Sequence, residues 1–249
     1  MTDELFSLRV INVSPSADDH DLLRQAAATS RVPIDLVEAS DAAAACRSLA
    51  GAADLVFLDS ALATEAIAQV IPAARAGAKP AFTVLLAEGE AAQFPTDALA
   101  AKPAQIDEAK RLVHRSVRVR LPSRVLIVDD SSTMRTIVRK ILTATRFPFE
   151  VTEAERGLEA IAAARKTAFD IVFLDYNMPD FNGLETLAEI RREKRNPFFV
   201  LITSVHDEAL AARASAEGAA FLRKPFFPAD IEALLCSFYG LAALNPQRI

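Results

Sequence analysis

Short, unbroken apolar runs separated by longer stretches of helical period form the strongest constraint in this chain. From residue 124 the order is RVLIV, SSTMRTIVRKILTAT, FEVTE, RGLEAIAAARK, DIVFL, GLETLAEIRREK, FFVLIT, DEALAARASAEG, AAFLR and PADIEALLCSFYG, which makes five β-α units. A strand that is apolar throughout is buried on both faces, and right-handed crossovers put helices there, so the pattern predicts an α/β fold with a covered parallel sheet. The preceding half repeats the rhythm with LRVINV, ADDHDLLRQAAAT, VPIDLVE, DAAAACRSLAG, DLVFL, ALATEAIAQVIPAARAG, AFTVLL and, after a short polar stretch, DALA and PAQIDEAKRLVHRSV. The halves also match in wording: ADLVFLDSAL lies close to FDIVFLDYNM, and AAKPAQIDEAKRLV echoes LRKPFFPADIEALL. We read an internal duplication at domain scale. The joint is RVRLPSR, where Pro122 and Ser123 interrupt a helix before the next strand. The expected domains are residues 1–119 and 124–245, with a linker at 120–123.

Composition excludes several classes. At 249 residues and 51% hydrophobic types the chain can build one large core or two ordinary ones. Its net charge of −5, with a basic excess in neither half, argues against a nucleic-acid or anionic-membrane binder. Cys46 and Cys236 stand alone in helix-like contexts, as free thiols of a reducing compartment do, and the cytoplasm is the expected location. The start, MTDELFSLRV, has no signal-like apolar core, and no run of about 18 apolar residues appears.

In a parallel sheet, ligands gather at the carboxyl ends of the strands. The second half places Asp129 and Asp130 after its first strand, Asp175 after the third, Thr203 and Ser204 after the fourth, and Lys224-Pro225 after the fifth. Clustered carboxylates repel, and hard oxygen donors with open positions favour Mg²⁺, which keeps waters and accepts phosphate as a ligand. Lys224 and Thr203 add a cation and a hydroxyl for phosphoryl oxygens. This inventory fits phosphoryl transfer to the Asp175 carboxylate, giving an acyl phosphate. Taken singly, each residue has a plain structural reading: aspartates cap helices, threonine is common in strands, and Lys-Pro is a common dipeptide.

The motifs VDD, LDYNMP with Gly183, TS and KPF resemble, in order and spacing, the receiver domain of two-component response regulators. The resemblance covers residues 122 to about 245 and implies a flavodoxin-like (βα)5 fold in each half. It implies Asp175 as phosphoacceptor, Asp130 as a direct Mg²⁺ ligand, Asp129 acting through water, and the Asn177 backbone carbonyl as a further metal ligand. Thr203 and Lys224 would hold the phosphoryl group, Pro225 would follow a cis peptide, and Phe221 would be the aromatic switch, which residues alone leave open to a plain core role. A sensor histidine kinase or histidine phosphotransfer protein is the implied partner.

The first half resembles a receiver stripped of its chemistry. It keeps Asp59 and Lys102-Pro103, but Ser14 and Pro15 replace the acidic pair, Leu86 and Ala87 stand where Thr-Ser is expected, and Leu99 replaces the aromatic. Asp18 and Asp19 read as residues that start and cap a helix. The short interval before Lys102 predicts a fourth helix cut down or irregular. We expect a pseudo-receiver.

Other classes fit less well. A phosphatase of the haloacid dehalogenase type usually has a second acid two residues after its nucleophile, where this chain has Asn177. Glycine-rich phosphate loops and dinucleotide fingerprints are absent from the sequence. His20, His114 and His206 make no metal or triad spacing and read as surface residues. With only LAALNPQRI after the last helix, output is expected through protein contacts or homodimerisation; a phosphate-independent scaffold with a vestigial site is the alternative.

Overall fold

The computed structural model describes residues 7–88, 94–193, 196–205 and 208–241. The chain divides into two units, one holding the described residues up to 120 together with 239–241, the other residues 121–238.

The first unit runs β1 (Leu8–Val13), α1 (Ala17–Ala28), β2 (Ile34–Ala39), α2 (Ala42–Leu49), β3 (Leu55–Asp59), α3 (Thr64–Arg75), β4 (Phe82–Ala87), β5 (Ala98–Ala101) and α4 (Ile106–Arg118). The second runs β6 (Ser123–Val128), α5 (Ser132–Ala144), β7 (Phe149–Ala154), α6 (Gly157–Lys166), β8 (Ile171–Asp175), α7 (Gly183–Arg192), β9 (Phe198–Thr203), α8 (Glu208–Ala216), β10 (Ala220–Arg223) and α9 (Pro228–Tyr239). Their sheets are parallel, five-stranded and ordered β2-β1-β3-β4-β5 and β7-β6-β8-β9-β10. In both, the strand order reverses beside the first strand, which opens the ligand crevice of a doubly wound sheet.

The central strands are the apolar runs seen in the sequence. LVFLD of β3 and IVFLD of β8 are buried at every position. Phe57 and Phe173 fill equivalent places in the two cores at 1% and 0% exposure, each ring contributing about 1.5–3 kcal/mol of burial. The edge strands β2 and β7 mix buried and exposed positions and carry charges, as edges exposed to water should. Both units therefore end their third strand on an aspartate at the carboxyl edge because the preceding four residues are committed to the core.

The helices dock by apolar faces. Leu184, Leu187 and Ile190 recur on the buried side of α7 and join a core with Leu126, Val172, Leu174, Phe199 and Leu201. Asn182 and Glu185 form a reciprocal capping box at its start. Gly183 is required there: a Cβ would lie 2.5 Å from Leu201 Cδ1 and 2.8 Å from the Asp175 carbonyl oxygen, so only glycine lets α7 begin this close to the end of β8.

The expected fourth crossover differs between the units. α8 connects β9 to β10, but among the described residues no helix lies between β4 and β5. Asp97 pins the return instead, accepting hydrogen bonds at one carboxylate oxygen from the Thr83 amide (2.7 Å) and hydroxyl (2.8 Å). Both units have the five-stranded parallel sheet of the expected fold, and among the described residues the second shows five helices and the first four. Cys46 is half-buried and Cys236 buried, and neither forms a disulfide. Among the described residues no helix is long and apolar enough to cross a membrane.

Candidate functional site

In the second unit Asp129 follows the end of β6 and Asp175 ends β8, the neighbouring strand. Both are buried, at 3% and 4% exposure. The Lys224 ammonium donates to Asp175 Oδ1 at 2.6 Å and to Asp129 Oδ2 at 3.1 Å. Backbone amides take the remaining oxygens: Asn177 donates to Asp175 Oδ2 (2.9 Å) and Ser131 to Asp129 Oδ1 (2.8 Å). Arg135 donates to the Asp129 carbonyl at 2.7 Å and fixes the backbone of the acidic pair. Lys224 is itself held by the sheet, its amide donating to the Thr203 carbonyl (2.8 Å), and Lys224-Pro225 is the one cis peptide among the described residues.

Burial pushes the Asp175 carboxyl above its ordinary range; Lys224 and the Asn177 amide pull it back, and the Asp129 charge adds to the rise. Burial lowers the Lys224 ammonium, but its bonds and charge attraction to Asp175 and Asp129 leave it raised. The arrangement is two buried carboxylates around one ammonium, a cation-demanding pocket.

Asp130 sits exposed beside this pair, and Asn177 is exposed as well. Among the described residues no group of three or more His, Cys, Asp or Glu closes into a metal cage. Mg²⁺ does not require one, because it keeps several waters and takes one or two carboxylates. The donor set suits it: hard oxygens at the mouth, already organised about a positive charge. Thr203 is fully buried, its hydroxyl oxygen accepting from the Val205 amide at 3.0 Å. Phe221 is half-buried against the core that includes Leu201 and Leu210.

The first unit solves the same problem with other residues. Asp59, 2% exposed, accepts from Lys102 Nζ at 3.0 Å on Oδ2 and from the Ala61 amide at 2.9 Å on Oδ1. The second carboxylate is Asp19, from the first turn of α1, whose Oδ2 lies 2.8 Å from Lys102 Nζ. Ser14, where the acid of the pair would stand, has its hydroxyl oxygen 2.7 Å from both Asp19 Oδ2 and Asp59 Oδ2. One hydroxyl hydrogen serves one carboxylate at a time, and Lys102 holds the other oxygen close. Here burial is outweighed: the Ala61 amide, Ser14, Lys102 and Asp19 together hold the Asp59 carboxyl below its ordinary range. The cavity beside Ser14, Asp19, Asp59 and Lys102 is about 10 Å³, room for about one water molecule.

Three readings from the sequence are corrected. Asp19 is not the cap of α1: Ser16 is, accepting from the Asp19 amide at 3.4 Å and leaving the Asp19 carboxylate free to reach Lys102. The strand register also moves the Thr-Ser position by one residue. Asp59 pairs with Leu86 as Asp175 pairs with Ile202, and the Lys102 amide donates to Ala87 as the Lys224 amide donates to Thr203. Ala87 and Glu88 therefore occupy the Thr-Ser step, and the interval to the lysine is fifteen residues against twenty-one. Finally, His20 is half-buried, accepting from Asn12 Nδ2 at 2.9 Å and donating from Nε2 to the Ser14 carbonyl at 3.0 Å, so it braces the Ser14 loop. His114 is exposed, and His206 lies outside the described residues.

Comparison with known proteins identifies the family of the second unit. The family model of the response regulator receiver domain matches residues 125–235, within the second unit. The chemotaxis protein CheY of Listeria monocytogenes is 36% identical over 104 residues, a match that covers 41% of this chain and 87% of that protein. A protein-glutamate methylesterase/protein-glutamine glutaminase of Agrobacterium fabrum is 39% identical over 99 residues, covering 40% of this chain but 28% of that enzyme. Among solved structures, the chemotaxis protein CheY4 of Vibrio cholerae is similar at 30% identity and a TM-score of 0.44, over 47% of this chain and 99% of that one. The chain belongs to the response regulator receiver family, with two receiver-like folds in tandem, and its similarity to the methylesterase is confined to a minor part of that enzyme.

Proposed function

We propose that the second unit accepts a phosphoryl group on Asp175 from the phosphohistidine of a sensor kinase or phosphotransfer protein. The observation that carries this reading is the Lys224 ammonium bridging two buried carboxylates at the carboxyl edge of the sheet. One Asp175 carboxylate oxygen attacks phosphorus in line; the P–N bond of the donor breaks, imidazole leaves with the electron pair, and a mixed anhydride forms. Lys224 turns from its carboxylate partners to the phosphoryl oxygens, and the Thr203 hydroxyl, whose oxygen accepts from the Val205 amide, donates its hydrogen to another. Asp129, Asp130, Asp175 and the Asn177 carbonyl would hold Mg²⁺, which when bound neutralises charge on the equatorial oxygens.

In this reading residues 124–245 form the acceptor domain, residues 1–119 an inert pseudo-receiver, 120–123 the link between them, and the setting is cytoplasmic. The replacement of the acidic pair by Ser14 and Pro15, and of the threonine by Ala87, supports inertness. Output runs through protein contacts or homodimerisation, with Phe221 responding to the movement of Thr203. Ile137 on α5, Leu158 at the start of α6 and Phe227 just before α9 are exposed apolar residues that support a protein partner.

The test is intact mass after incubation with Mg²⁺ and acetyl phosphate. A single phosphoryl adduct is expected in the wild type and in Asp59→Asn, and none in Asp175→Asn. An adduct that survives Asp175→Asn refutes the assignment; no adduct with either acetyl phosphate or a phosphorylated kinase leaves the scaffold reading in its place.

A further inference from the structure

The loop after Asp175 is pinned from outside by a carboxylate that the acceptor chemistry does not use. Asp180 accepts from the Gly157 amide at Oδ1 (3.1 Å) and from the Leu158 amide at Oδ2 (3.0 Å), the first two residues of α6. That helix lacks a cap of its own: its N-cap residue is Arg156, whose side chain makes no capping bond. The cap is thus supplied from more than twenty residues away by the segment that carries Asn177. The approach is tight, since a Cβ at Gly157 would lie 2.9 Å from Phe181 Cβ and 2.5 Å from Thr186 Oγ1. A helix N-terminus attracts a carboxylate through its free amides and its dipole, and with both oxygens engaged Asp180 cannot pivot.

The first unit gives the contrast. There α2 is capped locally by Asp41, whose side chain accepts from the Ala44 amide at 2.7 Å. Its acceptor-side loop is also shorter, α3 starting at Thr64, five residues after Asp59, where α7 starts at Gly183, eight after Asp175. The second unit therefore carries a longer loop and a remote cap, and the first carries neither. Within the longer loop, Asn177 is tied at its amide to Asp175, the Gly183 amide closes on the Tyr176 carbonyl at 3.0 Å, and Asp180 ties the middle to α6.

We propose that Asp180 is a positioning residue: by docking on the N-terminus of α6 it holds the Tyr176–Asn182 segment so that the Asn177 carbonyl faces the acceptor pocket. The metal-binding consequence rests on the phosphoryl-transfer reading above; the ordering of the loop does not.

The experiment uses the full chain as wild type, Asp180→Ala, and the double variant Asp180→Ala with Arg156→Ser. The serine restores a local cap to α6 without restoring the bridge. Amide hydrogen exchange at Asn177 is measured without metal. Mg²⁺ affinity is then followed by tyrosine emission, which the two tyrosines report without tryptophan. In Asp180→Ala, Asn177 exchange is expected to rise about tenfold, as the loss of a charged hydrogen bond implies. Half-saturating Mg²⁺ is expected to rise about tenfold as well, while the phosphorylation rate at saturating Mg²⁺ stays within about twofold. The double variant regains stability to urea and keeps both defects. Unchanged Asn177 exchange in Asp180→Ala overturns the proposal, as does recovery of exchange and Mg²⁺ affinity in the double variant, since Asp180 would then be a helix cap alone. Faster exchange in a protein whose wild type shows no Mg²⁺ response sustains the loop assignment and refutes the metal reading.

Discussion

The two pockets of this chain are built to one plan and titrate in opposite directions. Each sets a lysine between two carboxylates at the carboxyl edge of a 2-1-3-4-5 sheet. In the second unit the neighbour of Asp175 is another charge, Asp129, on the adjacent strand end; in the first, the same place holds the Ser14 hydroxyl, and the second charge comes from a helix. Burial raises both acceptor aspartates; at Asp175 the Asp129 charge adds to the rise, whereas at Asp59 the Ala61 amide, the Ser14 hydroxyl and Lys102 outweigh it. A reactive pocket retains unfavourable charge that a cation and a phosphoryl group can use. Its duplicate holds the same lysine and two carboxylates, but the Ser14 hydroxyl stands where the second strand-end charge would be.

The sharpest way to break this contrast is to remove the lysines. Lys224→Ala and Lys102→Ala each leave two partly buried carboxylates without a cation, and each is expected to lose about 3 kcal/mol in urea unfolding. Added Mg²⁺ should return much of the loss in Lys224→Ala and none in Lys102→Ala. Equal recovery in both would show that the first pocket still admits a metal.

The aspartates should then separate by size. Asparagine at either position breaks an ion pair with the lysine, so Asp59→Asn is expected to destabilise by about 1–3 kcal/mol, and Asp175→Asn by less in metal-free buffer because there the substitution also relieves a buried charge. The pH dependence follows from the two shifts. Asp59, lowered from 3.8, contributes stability that is present above that value and lost as pH falls through its folded value. Asp175, raised from 3.8, favours the fold below that value, a contribution lost as pH rises through its higher folded value. Stability differences between variant and wild type across this acidic window, taken without Mg²⁺, should therefore run in opposite directions. A smaller effect is expected from Ser14→Ala, about 1 kcal/mol, because Ala61, Lys102 and Asp19 still surround Asp59. Its diagnostic is a rise of the Asp59 carboxyl toward that of Asp175, read by carbon-detected NMR titration.

Much of this was legible before the fold was known. Strands such as IVFLD declare themselves because a short apolar run between two segments of helical period reads as a strand buried on both faces, and the residue that follows lies at the sheet's carboxyl edge. Asp129, Asp175 and Lys224 were readable for that reason. Asp19 was not, because Ser16 and Asp19 three apart look like the opening of a helix, and the sequence does not say which way the first turn of α1 faces. A signal did exist: a chain that keeps Asp59 and Lys102 while losing the acidic pair still needs a second partner for the lysine. The one-residue error at Leu86–Ala87 arose where the shortened connection removes the spacing that would align the strand, and the register corrected it. Asp180 stayed hidden because its partners are backbone amides, which have no letter in a sequence.

The sequence by itself determined the repeated β-α rhythm, the sheets it makes and the side chains at their carboxyl edges, because hydrophobic period and strand length are local properties. Tertiary structure decided how each pocket balances its charge: Asp19 closing the first, Lys224 bridging the second, Asp180 holding the acceptor loop to α6. Those depend on which groups from distant segments come within about 3 Å of one another, the range in which hydrogen bonds form.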